Sequence, residues 1–129
     1  MRYLGLDWIE AVKARVADSE SMRTAAETCS IGVTQVVTDG PEGTVVYHLQ
    51  VGDGTASFGP GPAPHEDVRF EQSWETAVGV ATGTIPAQAV FVNGQVRLSG
   101  DTQKIADNVV VFAALDSAFA AVRDVTTYD

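Results

Sequence analysis

Few side chains in this chain could do chemistry near neutral pH. The candidates are His48, His65 and Cys29, with three tyrosines beyond them. Metal binding needs ligands at short, regular spacing, and neither histidine has a His or Cys neighbour at such spacing. His48 falls on the polar side of an alternating stretch, and His65 follows a proline-rich loop. Both are read as surface residues. A nucleophilic Cys29 would need a nearby His or Lys to lower its pKa. Between Thr28 and Ser30 it has none, and it is read as a small buried apolar residue. Asp18 and Glu20 look like paired carboxylates, but at i and i+2 on a helix they share no face, so they are read as a solvated capping pair. The glycines from Gly52 to Gly61 lie between strands, not between a strand and a helix, which argues for a hairpin over a phosphate cradle. Neither a Gly-x-Ser-x-Gly elbow nor a Gly-x-x-x-x-Gly-Lys-Ser/Thr loop occurs. These absences predict a protein that is not an enzyme and holds no metal or cofactor. Trp8 and Trp74 could stack a ligand, although a core role is the commoner one for tryptophan.

Charge narrows the partners. Eight Lys and Arg face 17 Asp and Glu, for a net charge of −9. Nucleic acid and anionic lipid both require a clustered positive field, so neither is an expected partner. At 129 residues the length suits one domain over residues 1–129, large enough to fold without disulfides or metal. One cysteine excludes an internal disulfide. Residues Met1 to Trp8 lack a signal-like apolar run, and no stretch approaches the ~20 apolar residues of a membrane span. A cytoplasmic location without stable membrane insertion is the resulting expectation.

Periodicity supplies the elements. Trp8, Val12 and Val16 recur every four residues and predict a first helix, with Asp7 as N-cap and Glu10 completing the cap. A short second helix over Ser21–Thr28 follows, capped by Ser19 or Ser21. Ile31, Val33 and Val37 then alternate as a strand. Asp39 to Gly43 marks a turn, and Thr44 to Val51 alternates with Val45, Tyr47, Leu49 and Val51 on one face. Gly52-Asp53-Gly54 closes a hairpin onto a third strand, Thr55 to Phe58. The prolines of Gly59 to Pro64 predict a loop, since proline cannot donate to a ladder. Val68 to Gln72 is a fourth strand, and Ser73 caps a helix through Trp74, Ala77, Val78 and Ala81 that ends at Gly83. Pro86 opens a short helix with Ala89, Val90 and Phe91, which stops at Asn93-Gly94. Gln95 to Ser99 is a fifth strand, and Asp101 caps a last helix.

That last helix carries Ile105, Val109, Phe112, Leu115 and Phe119 at helical spacing. Val110, Val111, Ala113 and Ala114 widen its apolar arc. A helix apolar over most of its circumference must be covered on more than one side. The cover could be the sheet, a second subunit or an apolar ligand. The strand faces Val45/Tyr47/Leu49, Val68/Phe70 and Val96/Leu98 would form one side of an α+β layer. Trp74, Val78, Phe91, Ile105, Val109 and Phe112 would form the other. A filled core and a cavity have similar residue lists, and pattern alone leaves both open.

The order of Phe70, Trp74, Gly83, Pro86, Phe91, Gly94, Val96, Leu98 and Gly100-Asp101 resembles the signature of the sterol-carrier-protein domain family, the SCP-2-like nonspecific lipid-transfer domains. The hairpin Val45 to Phe58 fits the family's early strands, and the Trp8 helix is similar to that of short bacterial stand-alone members. The likeness covers roughly residues 31–115. It implies a five-stranded sheet covered on one face by helices, with an apolar cavity or tunnel between them. It also implies binding, and by extension transfer, of a fatty acyl or sterol-like molecule without catalysis. The residues implied to line the cavity are Tyr47, Leu49, Phe70, Trp74, Val78, Phe91, Val96, Leu98, Ile105, Val109 and Phe112. The competing expectation is a non-enzymatic homodimeric interaction module with a filled core, joined through the last helix.

Overall fold

The computed structural model describes residues 1–41, 43–82, 84–85 and 96–128. Its centre is a strand buried on both faces. In β1 (Ile31–Gly40), Ile31 through Val37 are all buried. β1 pairs antiparallel with β2 (Gly43–Gly52) on one side and parallel with β4 (Val68–Ser73) on the other. β3 (Thr55–Pro60) extends the sheet beyond β2, and β5 (Val96–Gly100) extends it beyond β4. The order is therefore β3-β2-β1-β4-β5, a mixed five-stranded sheet. Helices α1 (Leu6–Asp18), α2 (Glu20–Thr28), α3 (Trp74–Ala81), α4 (Gln103–Asp107) and α5 (Val109–Ala121) complete the α+β fold.

Register confirms the apolar face read from alternation. Val33 stands between Leu49 and Val68, Gln35 between Tyr47 and Phe70, and Val37 between Val45 and Gln72. Phe70 pairs with Leu98, and Gln72 with Val96. All of these side chains lie on one side of the sheet, because side chains alternate along a strand.

The opposite side of β1 is covered by the chain between β3 and β4. The Ala63 N–H donates to Thr34 Oγ1 at 3.0 Å, and the Gly32 N–H donates to Asp67 Oδ2 at 2.8 Å. A side chain at position 32 would meet the His65 carbonyl oxygen at 1.9 Å, so only glycine lets this loop lie against the strand.

Local differences from the sequence reading have identifiable causes. The N-cap of α1 is Gly5, not Asp7, which lies in the first turn. Ser19 does cap α2, accepting the Met22 N–H at 3.1 Å. Asp18 and Glu20 fall on different helices, either side of that cap. β3 continues through Gly59 and Pro60, which pair with His48 and Tyr47. Proline is tolerated there because β3 is an edge strand.

The last helix is two helices. It breaks at Asn108 (φ −124°, ψ 33°), which is buried and whose Nδ2 donates to the Lys104 carbonyl at 2.7 Å. Thr102, not Asp101, precedes α4. The break shifts the helical phase, so Val111, Ala114, Leu115 and Ala118 are buried while Val109 and Val110 are 62% and 57% exposed. The expected Gly83 cap and the short helix from Pro86 through Phe91 to Asn93-Gly94 lie outside the described residues.

Candidate functional site

The space between sheet and helices has two unlike halves. Over β2 and β3 it is filled by rings. Trp8 of α1, 1% exposed, lies 5.0 Å from Tyr3, 5.8 Å from Tyr47, 6.2 Å from Phe58 and 5.4 Å from Phe119 of α5, between ring centres. Its buried indole N–H has no hydrogen-bond acceptor among the described residues. The rings of Tyr3 and Tyr47 stand edge-on to the indole. Tyr47 and Leu49, two expected lining residues, belong to this closed half.

Over β4 and β5 several of the described apolar side chains are only half-buried. Phe112 of α5 lies over Phe70, ring centres 5.9 Å apart. Val78 and Val80 of α3, Ile85, Leu98 and Ile105 pack against the core but stay half-buried. α3 is fixed at both ends. Ser73 Oγ accepts the Thr76 N–H at 3.2 Å, and Arg123 Nε donates to the Ala81 carbonyl at 2.8 Å. Gly79 lets Ile85 fold onto the helix, since a Cβ there would meet Ile85 Cδ1 at 2.3 Å.

At one end of this layer a cleft of about 430 Å³ opens between the start of α1 and the β1–β2 hairpin. Tyr3, Leu4, Leu6, Val45 and Trp74 form its apolar wall, with Arg2, Asp7 and Thr127 at the rim. The volume is within the range of small-molecule pockets. Of the expected lining residues that are described, Trp74 alone borders this cleft. A shallower groove of about 640 Å³ runs outside, between α2 and α5, lined by Ala25, Val110, Ala113 and Ala114 among others.

Of the expected lining residues, Phe70 meets Phe112 and pairs with Leu98, Trp74 lies 5.3 Å from Tyr3 between ring centres, and Val78, Val96 and Ile105 belong to or pack against the same core. Val109 does not join them, because the break at Asn108 turns it to solvent. Phe91 lies outside the described residues. Sequence reasoning passed over two residues. Gln35 and Gln72 sit on the same apolar side, and Gln72 Nε2 donates to Gln35 Oε1 at 3.2 Å. The alternation that placed Val33 and Val37 inside places Gln35, midway between them, on the same face.

The residues once weighed for chemistry lie elsewhere. His48 is half-buried on the other face, its Nδ1 3.1 Å from the Gly61 carbonyl oxygen. His65 is exposed, and Cys29 is half-buried where full burial was expected. Among the described residues, no group of three or more His, Cys, Asp or Glu could hold a metal ion. Charge is kept off the helix-facing rows. Arg69 pairs with Glu66 at 3.0 Å and Lys104 with Asp67 at 3.1 Å. A hydrogen bond from Thr34 holds Glu66 below its ordinary value against the opposing effect of burial, and Arg69 adds to the lowering. Burial pushes the phenols of Tyr47 and Tyr3 upward, and both stay neutral.

A mixed sheet in this order, with apolar side chains between it and the helices, matches a known pattern. The pattern of the SCP-2 sterol transfer family fits residues 9–113. The chain belongs to that family. Solved structures agree on the fold. A conserved hypothetical protein from Thermus thermophilus superposes with a TM-score of 0.71 at 21% identity, covering 96% of this chain and 90% of its own. A sterol carrier protein 2 superposes at 0.67 and 22% identity, covering 94% and 97%. Palmitated SCP2L2 from Aedes aegypti superposes at 0.57 and 17% identity, covering 87% and 90%. At these identities the likeness is one of fold. No curated protein matches the sequence.

Proposed function

We propose that this chain, residues 1–129 acting as one domain, binds a hydrophobic ligand between sheet and helices and carries it without transforming it. The observation that carries the reading is the family match over residues 9–113. The half-buried apolar side chains over β4 and β5 support it physically. Phe70, Trp74, Val78, Phe91, Val96, Leu98, Ile105 and Phe112 would surround the ligand, with Tyr47 and Leu49 as the closed side of the floor. Each buried methylene contributes about 0.8 kcal/mol, so roughly ten of them supply micromolar affinity with no charged clamp. A fatty acyl lipid or a sterol-like molecule meets that requirement. No described helix is long and apolar enough to cross a membrane, and the net charge of −9 disfavours anionic lipid surfaces and nucleic acid as partners.

Extraction of natively purified protein, read by mass spectrometry, tests the proposal. Co-purified acyl or sterol-like lipid is expected, and ligand at a hundredfold over Kd should stabilise the fold by about 2.7 kcal/mol. An empty protein that no long-chain ligand stabilises overturns it.

A second reading has one observation behind it. Val109 and Val110 leave apolar surface outside at the start of α5, which a second copy would cover. Light scattering separates the two. A dimer that dissociates in V109S/V110S supports that reading, and a monomer at every concentration removes it.

A further inference from the structure

The helix-facing side of the sheet is apolar except at one place. Gln35 lies in register between Tyr47 and Phe70, and Gln72 lies between Val37 and Val96. Their side-chain amides share one hydrogen bond of 3.2 Å. Gln35 is 9% exposed and Gln72 is half-buried. A primary amide offers two donors and two acceptor lone pairs, and burying them unmet is costly. One shared bond uses little of that capacity. Two leucines would fill a similar volume with no polar cost. Whichever way the terminal amides are turned, the pair keeps a donor and an acceptor outside that bond on the helix-facing side of the sheet.

The pair is close to the cleft. Val45, on the cleft wall, shares a cross-strand row with Gln72, with Val37 between them. That places the wall two strands, roughly 10 Å, from Gln72. Trp74, two residues beyond Gln72, borders the same cleft. The helix-facing rows contain no charged side chain. The pair can therefore donate and accept hydrogen bonds, but it has no cation beside it on the sheet to compensate a carboxylate.

We propose that Gln35 and Gln72 form a polar subsite for a neutral amphiphile. The pair seats a hydroxyl or carbonyl oxygen of the bound lipid, as in a long-chain alcohol, an ester or a sterol-type hydroxyl. It selects such a ligand over a bare hydrocarbon and over a fatty-acid anion. This inference rests on the carrier reading above and deepens it.

The test is displacement of 1,6-diphenylhexatriene, a hydrocarbon fluorophore, by tridecane, dodecan-1-ol and dodecanoate at pH 8. In the native protein dodecan-1-ol should compete at least as well as tridecane, and about tenfold better than dodecanoate. In Q35L/Q72L the preference for alcohol over alkane should fall about tenfold, with fluorophore uptake retained. Q72L alone replaces the more accessible amide and should show about a threefold fall, which keeps the test decisive if the double variant does not fold. Retained uptake with an unchanged alcohol-to-alkane ratio overturns the subsite alone. So does a native protein that prefers dodecanoate. A native protein that takes up no fluorophore, and that none of the three competitors stabilises, overturns the carrier reading and the subsite with it.

Discussion

Tyr47 and Tyr3 bring two phenols into the aromatic cluster, and burial raises the pKa of both. An unfolded tyrosine ionises near pH 10. Above that pH the unfolded chain has released protons that the folded chain still holds, so stability falls as pH rises toward the folded values. Below pH 10 both states keep the proton and the contribution is constant. Urea unfolding followed by tryptophan fluorescence from pH 8 to 11 should show this loss. Y47F should lessen its slope by at most about 1.4 kcal/mol per pH unit. Trp8 contributes in a different way. It touches four rings at 1% exposure, and W8A should cost about 3–5 kcal/mol in the same denaturation experiment. A cost below about 1 kcal/mol would mean that the cluster refills around the gap.

At the scale of elements, two glycines make contrasting close approaches. Gly32 faces a backbone carbonyl, which cannot retreat without lifting the loop off β1, whereas Gly79 faces the Ile85 side chain from Cδ1 to Cβ. G32A should therefore destabilise by about 1–3 kcal/mol. G79A should destabilise less, by about 1 kcal/mol, because the Ile85 side chain can shift and the helix propensity of alanine recovers part of that cost. Thermal unfolding of the two variants checks the difference.

The same elements separate what sequence could show from what it could not. The five strands were legible because alternation has a period of two and one side is buried, so a slip in register would expose Val33, Leu49 and Phe70 together. Ser73 was legible because its hydroxyl meets a fixed need of the helix start. The last helix was not, since a stretch apolar almost all round fits several phases equally well. Ala114, Ala118 and the buried Asn108 decided the phase, and small or polar residues do not read as core. Half of the candidate site was legible as an apolar list. Its ring-filled side depends on Trp8 reaching across from α1, a long-range contact that no local pattern encodes.

At the scale of the molecule, the two ends of the chain hold each other. The Met1 amine donates to the Val125 carbonyl at 2.7 Å, the Thr127 N–H to the Met1 carbonyl at 2.7 Å, and the Tyr3 N–H to the Thr127 carbonyl at 2.9 Å. The Tyr128 ring lies 5.0 Å from that of Tyr3. Removing residues 126–129 should cost about 2–4 kcal/mol, from two or three hydrogen bonds and a ring contact. The Trp74 cleft should loosen with it, since Thr127 stands at its rim. Chemical denaturation of the truncated chain gives the first quantity, and the accessibility of Trp74 to a soluble fluorescence quencher gives the second.

These contacts also carry a consequence for the order of synthesis. Residues 2 and 127 form a β-bridge, so the earlier-made segment waits for one made about 125 residues later in translation. At roughly 5–20 residues per second, the wait before that bridge can form is about 6–25 s. Until then the Tyr3 N–H and the Met1 carbonyl wait for the Thr127 groups they bond in the fold, while Tyr3 and Trp8 can already pack on Trp74, Tyr47 and Phe58. A nascent chain stalled short of Thr127 thus lacks the bridge that ties residues 1–3 to the segment after α5.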